Sequence, residues 1–207
     1  AQQDLTVENV AVAPADELDY TLVAPVGFTA PGGSFQDATG GGGNLHTIAM
    51  LTSTAGVKAG NLVISSDDVD DPVLNVPLSG TVKRHASPSL SALAAVLEDT
   101  LDFGTLDEGA FAPDSVRVTN LGYDALQVLL EVYDADITGG GGRFGFVGGF
   151  GAEDVGGTGV WFPLAFDDAG AATSADTTYT ATLTFSTRDE QGIPGAANLA
   201  DLTVHLE

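Results

Sequence analysis

Between Thr180 and Ser186 the chain alternates threonine or serine with Ala181, Leu183 and Phe185. This period of two constrains the fold more than any other feature. Successive side chains of a strand point to opposite faces, so the run makes a strand with one buried face and one wet face. Leu202-Thr203-Val204-His205-Leu206 and Ser115-Val116-Arg117-Val118-Thr119 repeat the pattern. Asn61-Leu62-Val63-Ile64-Ser65 and Val73-Leu74-Asn75-Val76-Pro77-Leu78 form a further pair. Turn residues separate these runs, as in Asp70-Asp71-Pro72, Asn120-Leu121-Gly122 and Gly192-Ile193-Pro194-Gly195. Short strands with this punctuation predict an all-β sandwich architecture. Leu90, Leu93, Ala94 and Leu97 fall at helical spacing, but the run is short and passes into Leu101-Asp102-Phe103-Gly104. It reads as linker plus lead-in strand, with a helical turn as the lesser alternative.

The length of 207 residues suits two domains of about 100 residues each. The two halves carry related closing segments. Asn61–Asp68 and Val73–Leu78 close the first, and Thr182–Asp189 and Leu202–Leu206 close the second. Each half also holds a four-glycine tract, Gly40–Gly43 and Gly139–Gly142. The boundary is expected within Lys83–Pro88, which divides the chain into a domain over 1–83, a linker and lead-in strand over 84–98, and a second domain over 99–207. The second half opens with Leu101–Gly109 and Ser115–Asn120, and nothing comparable precedes Asp4-Leu5-Thr6-Val7. The first domain is therefore expected to lack its first two strands. Missing upstream sequence, a reduced domain, or strands supplied by a neighbouring chain would each account for this.

Charge excludes whole classes of function. There are 29 acidic residues against 6 basic ones, a formal net charge of -23 at pH 7. Phosphate backbones and anionic lipid surfaces are bound through Lys and Arg, so nucleic-acid binding and membrane insertion are not expected. The chain has no cysteine, which removes disulfides, thiolate nucleophiles and zinc–thiolate sites. No run approaches the 18 apolar residues of a membrane-spanning helix. Scarce lysine with abundant Thr, Ser, Asp and Gly fits an exported bacterial protein. Ala1-Gln2-Gln3-Asp4 reads either as a mature terminus left by signal-peptide cleavage or as a fragment boundary.

Leu101-Asp102-Phe103-Gly104-Thr105-Leu106-Asp107-Glu108-Gly109 followed by Val116-Arg117-Val118-Thr119-Asn120-Leu121-Gly122 resembles the opening of ASPM-SPD-Hydin (ASH-like) domains. Gly60–Asp68, Pro72 and Val76–Thr81 resemble the closing hairpin of the same family. In bacteria these modules are similar to the repeats of choice-of-anchor D surface proteins. The resemblance covers about half the chain. It implies two tandem immunoglobulin-like β-sandwich domains in an exported protein and no catalytic residues. The longer closing turn Asp189–Gly195 and the absent opening of the first domain depart from the family pattern.

Candidate chemistry is sparse. His46 is placed on a loop after the glycine tract, His85 in the linker, and His205 on the solvent face of the last strand. No G-x-S-x-G elbow accompanies them. Gly140, Gly142 and Gly145 satisfy G-x-G-x-x-G, yet Phe144–Phe150 cannot open the helix that a pyrophosphate site needs. Asp67, Asp68, Asp70 and Asp71 place four carboxylates in five positions, a candidate Ca²⁺ site or a solvated turn. Asp167-Asp168 and the Asp134/Asp136 pair are weaker candidates of the same kind. Trp161 and Phe162, within the aromatic stretch from Phe144 to Phe166, are the candidate ligand-binding residues; the alternative is that these rings fill the core. The expected function is that of a non-catalytic structural or adhesive module of a cell surface, stalk or filament. Such a module would act through protein partners or self-association at sheet edges. The alternative is a carbohydrate-binding module of a larger secreted enzyme.

Overall fold

The computed structural model describes residues 1–170 and 177–207, and the chain is all-β, with no α-helix among the described residues. It divides into two compact units, Ala1–Lys83 and Arg84–Glu207.

The first unit holds β1 (Gln2–Val7), β2 (Leu18–Val23), β3 (Phe28–Thr29), β4 (Ser34–Asp37), β5 (Asn44–Met50), β6 (Gly56–Ser66) and β7 (Val73–Val82). They form two sheets, ordered β1-β5-β3 and β4-β2-β6-β7, with every neighbouring pair antiparallel. Alternation places Tyr20 and Leu22 of β2, Ile48 of β5, and Leu62 and Ile64 of β6 between the sheets.

The second unit holds β8 (Pro88–Ser89), β9 (Glu98–Leu101), β10 (Asp114–Asn120), β11 (Leu130–Gly139), β12 (Phe144–Phe146), β13 (Glu153–Val155), β14 (Val160–Phe166), β15 (Ala181–Asp189) and β16 (Leu202–Leu206). Its sheets are ordered β12-β14-β10-β8 and β13-β11-β15-β16-β9, and β9 runs parallel to β16 while the other pairs are antiparallel. Val116, Val118, Phe162 and Leu164 from one sheet meet Leu130, Val132, Leu183, Phe185, Leu202 and Val204 from the other. On β15 the inward residues are Ala181, Leu183 and Phe185, each buried. Among the described residues sixteen buried hydrophobics make this core, against five in the first unit, so the first unit has far less apolar burial to offset chain entropy.

Residues 84–98, expected as a linker and lead-in strand, belong to the body of the second unit. The Arg84 amide donates to Leu126 O at 2.7 Å, Ala86 is buried, and β8 pairs with the end of β10. No helical turn forms over Leu90–Leu97. The buried Ser89 hydroxyl instead donates to Ala94 O at 2.7 Å and accepts from the amides of Ser91 and Val96, tying the stretch into a loop. Leu93 consequently faces solvent.

Candidate functional site

The histidines have different surroundings. His46, expected on a loop, is instead in the middle of β5 and 3% exposed, because alternation along β5 turns it inward with Ile48. Its Nε2 lies 2.7 Å from the Tyr20 hydroxyl, and its ring meets Phe35 edge-on with centroids 4.5 Å apart. Burial pushes the His46 imidazole below its ordinary value and the Tyr20 phenol above its own. A neutral imidazole hydrogen-bonded to a phenol in an apolar layer is a packing arrangement. His85 donates through Nδ1 to the buried Asp189 carboxylate at 2.6 Å. His205, on the solvent face of β16, pairs with Glu98 Oε1 at 2.7 Å.

The glycine tract Gly139–Gly142 has φ of 90, 61, 62 and 77° and closes the connection from β11 to β12 through a single 3-10 turn. A side chain at Gly140 would meet the Phe144 ring at 2.6 Å. The tract is a tight turn packed against an aromatic residue, and no helix N-terminus follows it.

The four aspartates between β6 and β7 are exposed. Asp67 Oδ1 accepts from the Asp19 amide at 3.0 Å, and Asp68 Oδ1 accepts from the Asp70 amide at 2.9 Å and the Asp71 amide at 3.4 Å. Asp67 and Asp68 thus serve backbone donors of the turn and its neighbour. Among the described residues no group of three or more His, Cys, Asp or Glu is arranged to hold a metal ion. The weaker candidates behave alike: Asp168 accepts from the Gly109 amide, Asp167 from Ala169 and Asp134 from Ala135.

Trp161 and Phe162 are separated by the pleat of β14. Phe162 is 5% exposed and packs against Phe150 and Phe185, which removes it as a surface ligand residue. Trp161 points outward at 60% exposure, with the Arg117 guanidinium 5.6 Å from its ring centroid. Arg117 also donates to Thr158 O. Phe144, Phe146 and Phe166 join the core with Phe162, so Trp161 has no second exposed ring of this stretch beside it.

One departure from closed packing lies in the first unit. Its two sheets reproduce those of the second: β1-β5-β3 matches β10-β14-β12, and β4-β2-β6-β7 matches β13-β11-β15-β16. Only β8 and β9 have no counterpart in 1–83. In the second unit β9 lies on β16, and Leu202, Val204 and Leu206 are at most 1% exposed. The register on β6 makes Leu74, Val76 and Leu78 their equivalents. Leu74 is 58% exposed, and Val76 and Leu78 are only half-buried. Between β7 and β1, whose outer edges pair with no other strand among the described residues, lies a groove of about 440 Å³ lined by Leu5, Phe28, Ile48, Met50, Leu62, Val76 and Leu78. The sequence signal for it was the absent strand pair. Sequence alone could not place the apolar side chains that the absence leaves open.

No family model and no curated protein matches the chain. Among solved structures it is similar to a protein of unknown function from Porphyromonas gingivalis W83, at 15% identity and a TM-score of 0.34, over 100% of this chain and 90% of that one.

Proposed function

We propose that the chain is a non-catalytic structural or adhesive module, built of two immunoglobulin-like units of the ASH-like kind and exported to a bacterial cell surface, stalk or filament. The groove between β1 and β7 carries this reading, because it joins two unpaired sheet edges to incompletely covered apolar residues. Sheet edges and apolar grooves are the usual means by which sandwich proteins bind other chains. The split first strand of the second unit, with β8 on one sheet and β9 parallel to β16 on the other, supports the immunoglobulin-like assignment. Acidity and scarce lysine support export and argue against nucleic acid or anionic lipid as the ligand.

Display of the full chain on a heterologous bacterial cell tests the reading. Cells are expected to hold to protein-coated surfaces or to one another, protease treatment of the target should abolish this, and glycosidase treatment should not. Turnover of an ester, glycoside or peptide by the purified chain would overturn it. The exposed Trp161 ring favours a second reading, a carbohydrate-binding module. That reading expects glycan-array binding that disappears in Trp161→Ala.

A further inference from the structure

We propose that a cleft beside Trp161 in the second unit binds a neutral saccharide, with one sugar ring lying on the indole and hydroxyls turned to Asp99, Thr100 and Ser115. This goes beyond the adhesive reading and rests on the carbohydrate-binding one, to which it gives a site. The split first strand opens the cleft. β8 pairs only with Thr119 and Asn120 at the end of β10, and the chain then crosses through residues 90–97 to lie as β9 on the other sheet. The edge of β10 before Thr119 is left without β8 beside it. A cleft of about 450 Å³ lies between that edge, the crossing loop and β9. Small-molecule sites span about 300–1,000 Å³.

The lining combines two chemistries. Leu101, Val116 and Val204 form an apolar floor, and Leu93 and Trp161 stand exposed at the rim. Among them lie Asp99, Thr100 and Ser115. The Asp99 carboxylate accepts from the Thr100 amide at 2.9 Å, and among the described residues neither it nor the Thr100 and Ser115 hydroxyls has another side-chain bond. Alternation along β9 puts Asp99 on the same face as Leu101, so an ionised group looks into the cleft. A sugar matches this mixture. Its C–H face lies on an aromatic ring, while its hydroxyls donate to a carboxylate and exchange hydrogen bonds with other hydroxyls. The indole is held ready: its cross-strand neighbour Arg117 donates to Thr158 O and keeps its guanidinium 5.6 Å from the ring centroid. Little side-chain freedom is then lost on binding. Charge selects against sugar acids, because Glu98 and Asp114 adjoin the lining in sequence and the chain carries a formal charge of -23.

The probes are neutral hexasaccharides of glucose, mannose, xylose and N-acetylglucosamine, titrated into the full chain, with oligogalacturonate as the anionic control. Trp161 is the sole tryptophan, so its emission reports from the cleft. At least one neutral probe is expected to shift that emission saturably and to bind by calorimetry, and oligogalacturonate to bind at least about tenfold more weakly. Trp161→Ala should weaken calorimetric binding about a hundredfold, and Asp99→Ala and Ser115→Ala about tenfold each, with far-UV spectra unchanged. Tyr123→Ala, at a ring outside the cleft, should leave binding unaltered. No response to any neutral probe would overturn the site and the carbohydrate-binding reading together. Loss in Trp161→Ala with full affinity in Asp99→Ala and Ser115→Ala would overturn the cleft alone, leaving a bare ring that binds sugar and an Asp99 that only guards a sheet edge. Tighter binding of oligogalacturonate would overturn the neutral-sugar assignment.

Discussion

The Asp189 carboxylate, at the end of β15, accepts a hydrogen bond from His85 Nδ1 at 2.6 Å across 104 residues of sequence. The same carboxylate accepts from the Ala86 amide at 2.8 Å and the Ala197 amide at 3.0 Å, and it is 1% exposed. One buried acid thus fastens the start of the second unit and the loop before β16.

Asp189→Ala leaves two backbone donors without their acceptor. It should cost about 2–4 kcal/mol, and Asp189→Asn, which keeps one acceptor oxygen, distinctly less. Denaturant unfolding followed by Trp161 fluorescence reads the loss in the second unit, because Trp161 is the sole tryptophan. Wild-type stability in the alanine variant would refute the clamp.

Neighbouring aromatics on β14 should behave oppositely. Phe162→Ala empties a core site between Phe150 and Phe185 and should cost about 3–5 kcal/mol. Trp161→Ala removes an exposed ring and one contact to Arg117, and should cost about 1 kcal/mol or less. Thermal unfolding by circular dichroism compares the two.

His46 makes the first unit acid-sensitive. Its imidazole value is lowered on folding, so the unfolded chain binds the proton more readily. Stability is then full above the ordinary value of 6.5 and falls as the pH drops from there toward the lowered folded value. Amide exchange of Leu22 and Leu62 should accelerate across that window. His46→Gln, which does not titrate there, should flatten the dependence while lowering stability at neutral pH.

Glu131 and Arg188 form a two-pronged pair between β11 and β15, each bond 2.8 Å, with Arg188 also 4.4 Å from the Tyr133 ring centroid. Hydrogen bonding from Arg188 lowers the Glu131 carboxyl. Its contribution is present above the ordinary value of 4.5 and is lost as the pH falls through the lowered folded value. A double-mutant cycle with Glu131→Gln and Arg188→Met should give a coupling of about 1 kcal/mol at neutral pH, reduced by salt and absent near pH 2.

The pleat explains which features could be read in advance. Ala181, Leu183 and Phe185 face the core and His205 faces solvent because alternation is a local property of the strand. His46 escaped because a glycine tract precedes it and an imidazole does not register as an apolar inward residue, although Ile48 beside it marks the same face. The stretch from Leu90 to Leu97 carried a helical spacing, yet a single buried hydroxyl, Ser89, organises it as a loop. Phe162 and Trp161 were grouped by type, whereas adjacency on a strand sends them to opposite sides.

Period-two patterning and turn residues by themselves determined that the chain is all-β and which side of several strands is apolar, since both depend only on neighbours along the chain. Whether an apolar side is covered was decided by tertiary structure. Leu78 and Leu206 sit in similar local sequences, and only the second is sealed, because β9 arrives from about a hundred residues away to lie on its strand. Coverage is a contact between distant segments, and no local pattern encodes it.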